Sequence, residues 1–338
     1  MMKRLLLPIV GLILLVAVAT FAFWKPGPSV TENRSLPKVT IGIQTSPAMA
    51  LVMVAKDEGL FERAGVDVEL KQFSAGKFAL QAMLGGSTDF AIAGEVPVGL
   101  ALAQGNQVRV YSQVVRKTTN EVRMVARAPA GQDPKDFFAR HKRRVATSLG
   151  GGPEFFTWSY LNDLGVPKDA VEVVGQKPED MPAALASGSV DAIAVFDPFA
   201  FLAERQGGKA VHAFPDRGVY SELYVLASRP VVGDARQPEL KAILSALAAA
   251  EQSIAKDPAR AKKAVQRYTG LEPSVLDGIW GSFDFAPALT PTLLDYWNRQ
   301  FDWAQRTGKL KSGTRRPDFR AAIDSRAFDS MHAATHAR

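Results

Sequence analysis

The residues with the greatest chemical potential in this chain lie where short apolar runs give way to small or polar ones. Ser148, Leu149, Gly150, Gly151 and Gly152 follow the apolar run ending at Thr147 and precede Pro153. Glycines there let backbone N–H groups approach a ligand, and Pro153 suits the first turn of a helix, whose N-terminus favours negative charge. The loop fits contact with an anion or a polar ligand, or a plain strand–helix turn. It lacks the Gly-Lys-Ser/Thr ending of a nucleotide loop, and Gly76–Lys77 fails the same test because Phe78 follows. Gln44, Thr45 and Ser46 offer an amide and two hydroxyls after the first apolar run; they fit ligand contact or capping of a helix near Pro47. Glu95 follows Gly94, and Asp197 sits between Phe196 and Pro198. Both acids end apolar segments, so they fit recognition of an amine, amidine or hydroxyl. The alternatives are a helix cap for Asp197 and an ion pair for Glu95. Ser74 and Gly76 lie in a third loop of this kind, and Phe196 with Phe199 can supply an apolar wall.

Other chemistry is poorly provided for. The chain has no cysteine, which removes disulfides, thiolate metal sites, Cys nucleophiles and a lipid-bearing Cys. His332 and His336 stand four residues apart in the tail, with no third ligand near them in sequence, and His141 and His212 are isolated. No cofactor is expected. The net charge of +7 includes Lys3, Arg4 and Lys25, and the basic stretch Arg315, Arg316, Arg320 is broken by Asp318 and Asp324, which points to a solvated surface rather than a nucleic-acid face.

The elements that must hold these loops alternate along the chain. Strand signals at 39–44, 66–73, 89–93 and 108–115 are interleaved with helical patterns that stop at Gly59, at Gly85–Gly86 and at Gly105. A second series runs from Val122: strands at 122–126, 144–147, 171–174 and 191–195, with helices between. Such alternation predicts α/β lobes with doubly wound, mainly parallel sheets, where ligands bind outside the carboxyl ends of the strands. The loops at Gln44–Ala48, Ser74–Lys77 and Gly94–Pro97 occupy that position. The second lobe repeats the architecture of the first, not its sequence. Tyr220–Ser228 reads as a strand returning to the first lobe, followed by four helices between Pro238 and Gly308. With 338 residues, 47% of them hydrophobic and 22% charged, the chain is long enough for two compact lobes.

The expected division is residues 1–24, a signal peptide or membrane anchor; 25–37, a linker with three prolines; 38–118 with 222–312, the first lobe; 119–221, the second lobe; and 313–338, a polar tail whose last residues are expected to fray. Lys3 and Arg4 before the apolar Leu5–Trp24 run predict export with the N-terminus inside, whether or not the segment is cleaved near Ala17–Ala19 or Ala22. Hinge strands are expected near Arg116–Arg123 and Phe214–Leu223.

Several phrases, in order, resemble the periplasmic substrate-binding proteins of the nitrate/taurine/aliphatic-sulfonate transporter family. The Ala55–Glu62 phrase (AKDEGLFE) is similar to its A-x-x-x-G-x-F segment, and Leu84–Ala91 (LGGSTDFA) to its L-x-x-G-x-x-D-x-A segment. Phe196–Phe199 (FDPF) resembles its aromatic-acid-Pro element, and Ile254–Ala259 with Trp303–Gly308 its C-terminal helices. The resemblance covers about Pro37 to Leu310. It implies two lobes joined by two crossing strands that close on a small solute, a monomeric receptor in the periplasm, and delivery to an ABC permease in the inner membrane. Sulfonate, nitrate or an amino sulfonate is the implied solute. An enzyme on this fold, such as a lyase or a pyrimidine-precursor synthase, and a tethered solute sensor are the alternatives. The chain departs from the family in having SLGGG at 148–152 where members carry Lys-Gly-Ser/Thr. Phe196 stands in place of the usual Trp, and Asp133–His141 replaces a shorter D-L-x-G-K.

Overall fold

The computed structural model describes residues 35–336; the expected leader, and most of the linker after it, lie outside the described residues. Two five-stranded sheets organise the rest. The first contains β1 (Lys38–Gln44), β2 (Asp67–Phe73), β3 (Phe90–Gly94), β4 (Arg109–Val115) and β11 (Tyr224–Ser228), in the order β2-β1-β3-β11-β4. The second contains β6 (Val122–Ala126), β7 (Arg143–Thr147), β8 (Val171–Gly175), β9 (Ala192–Phe196) and β10 (His212–Ala213), in the order β10-β6-β9-β7-β8. Read from β2 and from β8, the two orders match. In each, three parallel strands are followed by one that runs against them: β11 beside β3 and β4, and β6 beside β9. Each sheet is therefore mainly parallel, as the sequence pattern suggests, with four strands running one way and a single strand against them. The antiparallel member is the strand that carries the chain across from the other lobe.

Local chemistry explains the element ends. Ser46 caps the turn at Pro47–Met49, its hydroxyl accepting from the Ala48 N–H at 3.2 Å. Asp133 caps Pro134–Ala139 through the Asp136 N–H at 2.9 Å, and Asp257 caps Pro258–Thr269. Strands β3 and β9 are buried throughout, because helices cover both faces of each sheet. The Ala50–Asp57 and Gln237–Lys256 helices pack together against the outer face of the first sheet, with Leu51, Leu244 and Leu247 fully buried. On the other face, the Glu95–Ala103 helix packs against the Thr292–Arg306 helix. Trp297, fully buried, lies so close to Gly99 that a Cβ there would fall 2.6 Å from its Cδ1, and its Nε1–H donates to the Glu95 carbonyl at 2.9 Å. Trp297→Ala should cost about 3–5 kcal/mol in urea denaturation, through the cavity it leaves and the lost Nε1–H hydrogen bond. A loss under 1 kcal/mol would mean that the two helices do not depend on this contact.

The chain passes between the sheets twice. Residues 116–121 leave β4 and enter β6, and residues 214–223 leave β10 and enter β11. A two-stranded ribbon of β5 (Lys117–Thr118) with β12 (Phe283–Asp284) braces the first passage. Ser221 ties the passages together: its hydroxyl accepts from the Thr118 N–H at 3.0 Å and donates to the Thr118 carbonyl at 2.6 Å. The polar segment from Gly313 is seated on the first lobe. Ile323 bridges Val110, the Asp324 N–H donates to the Val110 carbonyl at 2.8 Å, and the Arg326–His336 helix packs on Gln237–Lys256 with Ala327 buried. A few apolar residues, Phe319, Ala322 and Ala327, suffice to seat a segment whose composition is polar. Among the described residues, no helix is long and apolar enough to cross a membrane.

Candidate functional site

The carboxyl ends of strands from both sheets meet at one small cavity of about 20 Å³. Gln44 reaches it from the end of β1, Gly76 from the loop after β2, and Gly94 from the end of β3. Ser148, Gly151 and Gly152 reach it from the loop after β7, and Phe196 from the end of β9. Lys77 and Pro97 complete its first-sheet side and Pro153 its second-sheet side. The last wall is Glu222, from the crossing segment before β11.

Each of these side chains is set by its element. The Gln44 amide accepts from the Gly76 N–H at 3.0 Å and donates to the Tyr224 hydroxyl at 3.3 Å, so it fixes the loop after β2 against β11. Gly150 has φ +77°, a conformation that favours glycine, and turns the chain so that Gly151 and Gly152 face inward. The Gly152–Asp163 helix then starts with no side-chain cap. Its neighbour is the Glu222 carboxylate, placed so that a Cβ on Gly152 would stand 2.5 Å from the Glu222 Oε1 and 2.4 Å from the Tyr220 hydroxyl. Lys77, from the first lobe, donates to the Leu149 carbonyl of the second at 3.0 Å, which holds the two sides of the cleft together.

Behind the cavity lies an acidic, almost fully buried cluster. Glu95 accepts from the Tyr220 hydroxyl at 2.7 Å, the Leu223 N–H at 2.9 Å and the Gln300 amide at 2.8 Å. Glu121 accepts from the Tyr224 hydroxyl at 2.8 Å. Glu121 Oε2 and Glu222 Oε2 are buried without a hydrogen-bond partner, as is the Ser148 hydroxyl. Burial pushes the Glu95 carboxyl up to about 7 against the hydrogen bonds that favour its charge. Burial and the charges of Asp197 and Glu95 push Glu121 up to about 8. Burial, then Glu121 and Glu95, raise Glu222 well above the usual carboxylate range. Asp197 is raised by burial too, but it pairs with Arg123, which also pairs with Glu204. Arg123→Met should leave Asp197 buried and unpaired, at a cost of about 3 kcal/mol at pH 7 in urea denaturation. An unchanged midpoint would show that Asp197 is already neutral there.

Of the residues singled out in the sequence, Gln44, Gly76, Gly94, Ser148, Gly151, Gly152 and Phe196 line the cavity. The others do not. Ser46 is the cap described above; Thr45 pairs with Gln72 at 3.2 Å; Ser74 is exposed; Gly150 serves the turn, its N–H donating to Glu154 at 2.7 Å. The Glu95 carboxylate is turned into the hinge, and Asp197 is held by Arg123 while its Oδ1 accepts from the Phe201 N–H at 3.1 Å. Phe199 packs edge-on to Phe196 behind the cavity wall. Glu121 and Glu222, which the loop reading missed, were legible in one way: each is an acid inside a segment expected to cross between lobes. A wider recess of about 600 Å³ lies apart, between the Gly152–Asp163 and Thr292–Arg306 helices. It is lined by Trp158, Arg299 and Trp303 among others, with Gly218 and Val219 from the second crossing segment.

Residues 32–269 match the model of the NMT1-like family. The chain belongs to that family. A putative aliphatic sulfonates-binding protein of Escherichia coli (strain K12) is 29% identical over 199 residues, 58% of this chain and 59% of that protein. The taurine-binding periplasmic protein of the same organism is 24% identical over 169 residues, 50% of this chain and 51% of that protein. The chain thus spans about half the length of the curated relatives it matches. The alkanesulfonate-binding protein of Xanthomonas axonopodis pv. citri, solved bound to MOPS, superposes with a TM-score of 0.73 at 21% identity, over 86% of this chain and 99% of that one. At that identity the likeness establishes the fold: the two-lobed α/β architecture of periplasmic binding proteins, as the strand orders above require.

Proposed function

We propose that this NMT1-like chain is an extracytoplasmic solute-binding protein, which encloses a small polar solute between two lobes and passes it to an ABC importer. The observation that carries this reading is the shared cavity: strand ends from both sheets and a residue of a crossing segment converge on it. A solute gripped there is wrapped by both lobes, so binding favours the closed arrangement, and a permease can read closure as a signal of loading. The names of the sulfonate- and taurine-binding relatives support the transport role. Lys3–Arg4 before the Leu5–Trp24 run supports export with a cleaved or retained leader. Lobe limits of 38–118 with 222–312, and 119–221, accord with the strand membership of the two sheets. Binding without turnover separates this role from an enzyme on the same fold.

The test is a thermal-shift screen of the exported chain against small sulfonates, nitrate, carboxylates, amines and pyrimidines. A solute present at 100 times its Kd should add about 2.7 kcal/mol of stability, and small-angle scattering should show compaction with it. Absence of any stabilising solute would overturn the reading.

A further inference from the structure

From the cavity walls we infer that this receptor takes a solute whose innermost group is a small hydrogen-bond-donating cation, an amine or amidine, held by Glu222 and Ser148, with Glu121 behind them. The inference rests on the receptor reading above and names the class of solute.

The helix N-terminus at Gly152 is the place where an anion is expected from the sequence. The protein has put its own carboxylate beside it: Glu222, only 5% exposed, lies against the faces of Gly152 and Gly94. A group entering here meets the Glu222 carboxyl at once, with those of Glu121 and Glu95 behind it, and none of the three offers an anion a fixed positive charge. The unused hydrogen-bonding capacity points the same way. Glu222 Oε2 and Glu121 Oε2 are buried acceptors without donors, and the Ser148 hydroxyl, 3% exposed, is unpartnered on the opposite wall. Buried acceptors left unpaired are costly, and a donor-rich cation supplies what they lack. Size agrees. As it stands, a cavity of about 20 Å³ matches a head group about the size of a water molecule or an ammonium.

The charges around the group are mixed, and their placement matters. Arg123 faces Asp197 and Glu204 and is used there. Lys77 stands at the mouth, bound to the Leu149 carbonyl, with its charged form disfavoured by burial. Outside it a recess of about 290 Å³ opens, lined by Phe78, Leu149, Gln176 and Lys177 as well as Lys77 and Ser148. The solute therefore points its cation inward. Its outer end extends toward two lysines, where a negative charge is tolerated.

The test uses matched pairs that differ only in the amine: 3-aminopropanoate against propanoate, and 2-aminoethanesulfonate against ethanesulfonate. Each is titrated calorimetrically into the full exported chain at pH 7.5. The amine-bearing member of at least one pair should bind at least 30-fold tighter than its partner. That affinity should weaken at pH 5.5, because the cation binds only as the acids give up protons they hold in the empty protein, and that release is harder at lower pH. Glu222→Gln, nearly isosteric, should remove most of the amine preference, while Ser148→Ala should weaken binding more modestly. If the amine-free anions bind as well or better, the inference is overturned and the receptor reading stands. If neither these probes nor any member of the wider screen binds, both are overturned. An amine preference unchanged in Glu222→Gln would overturn the assignment to this cavity.

Discussion

Replacing Gly152 with leucine should reduce solute affinity at least 100-fold while the lobes remain folded. In the closed cleft a Cβ at this position would fall 2.4 Å from the Tyr220 hydroxyl and 2.5 Å from the Glu222 Oε1, closer than real contacts allow. Neither partner can retreat freely. Tyr220 donates to Glu95 at 2.7 Å and packs edge-on to Phe155 and at a tilt to Tyr296, and Glu222 is walled by Gly94. The added side chain must therefore hold the start of the Gly152–Asp163 helix away from the crossing segment. That separation also pulls Leu149 from Lys77 and enlarges the small cavity at the strand ends. A 100-fold loss corresponds to about 2.7 kcal/mol, a modest demand for several displaced contacts. Scattering should report an expanded particle that solute no longer compacts. Gly150→Asn is the control: the φ of +77° there suits asparagine, nothing lies within 4 Å of its Cβ position, and binding should persist. Wild-type affinity in a folded Gly152→Leu protein would mean that the cleft grips its solute without this contact.

The reach of the sequence is uneven for physical reasons. Period and punctuation carried the elements: the strand at Val122–Ala126 and the Pro258 helix start where the residues say they should, because turns, caps and prolines act locally. Loops after strand ends were equally legible, and seven of the residues chosen in them line the cavity. The direction of each side chain was not. Gln44 and Ser46 are two positions apart in one loop, yet Gln44 faces the cavity and Ser46 caps a turn, a choice made by how Gly76 and Ala48 pack. Glu95 looked like a ligand because it ends a strand. Three donors from distant positions, Tyr220, Leu223 and Gln300, claim its carboxylate instead. Asp197 similarly depends on Arg123, 74 residues away. Glycines at a helix start suggest an anion site only so long as no acid from elsewhere in the chain arrives first, and Glu222 arrives from the hinge.

The buried acids should also make the folded protein lose stability as pH rises through the neutral range, a behaviour opposite to acid denaturation. Glu95 and Glu121 titrate near 7 and 8 in the folded chain against 4.5 for an ordinary glutamate, and Glu222 is displaced the same way. The folded state therefore holds protons that the unfolded chain has released. Where the native state binds more protons, stability falls with increasing pH. The contribution is fully present below pH 4.5 and is lost as pH rises toward 7–8. Each unit of displacement is worth about 1.4 kcal/mol, so the cluster gives up on the order of several kcal/mol between pH 5 and pH 8. At about 2–4 °C per kcal/mol for chains of this size, the melting temperature should drop by roughly 5–10 °C across that interval. Asp324, held low by its hydrogen bond to Arg326, acts in the other sense, but its window lies below pH 4 and does not overlap. Glu121→Gln can keep the hydrogen bond to Tyr224 while removing one titrating group, and should flatten the profile and raise the melting temperature at pH 8 relative to the parent. A melting temperature for the parent chain that is constant or rises from pH 5 to pH 8 would show that these carboxylates are ionised and compensated in the fold, and that the charge facing a solute at Glu222 is fixed rather than released on binding.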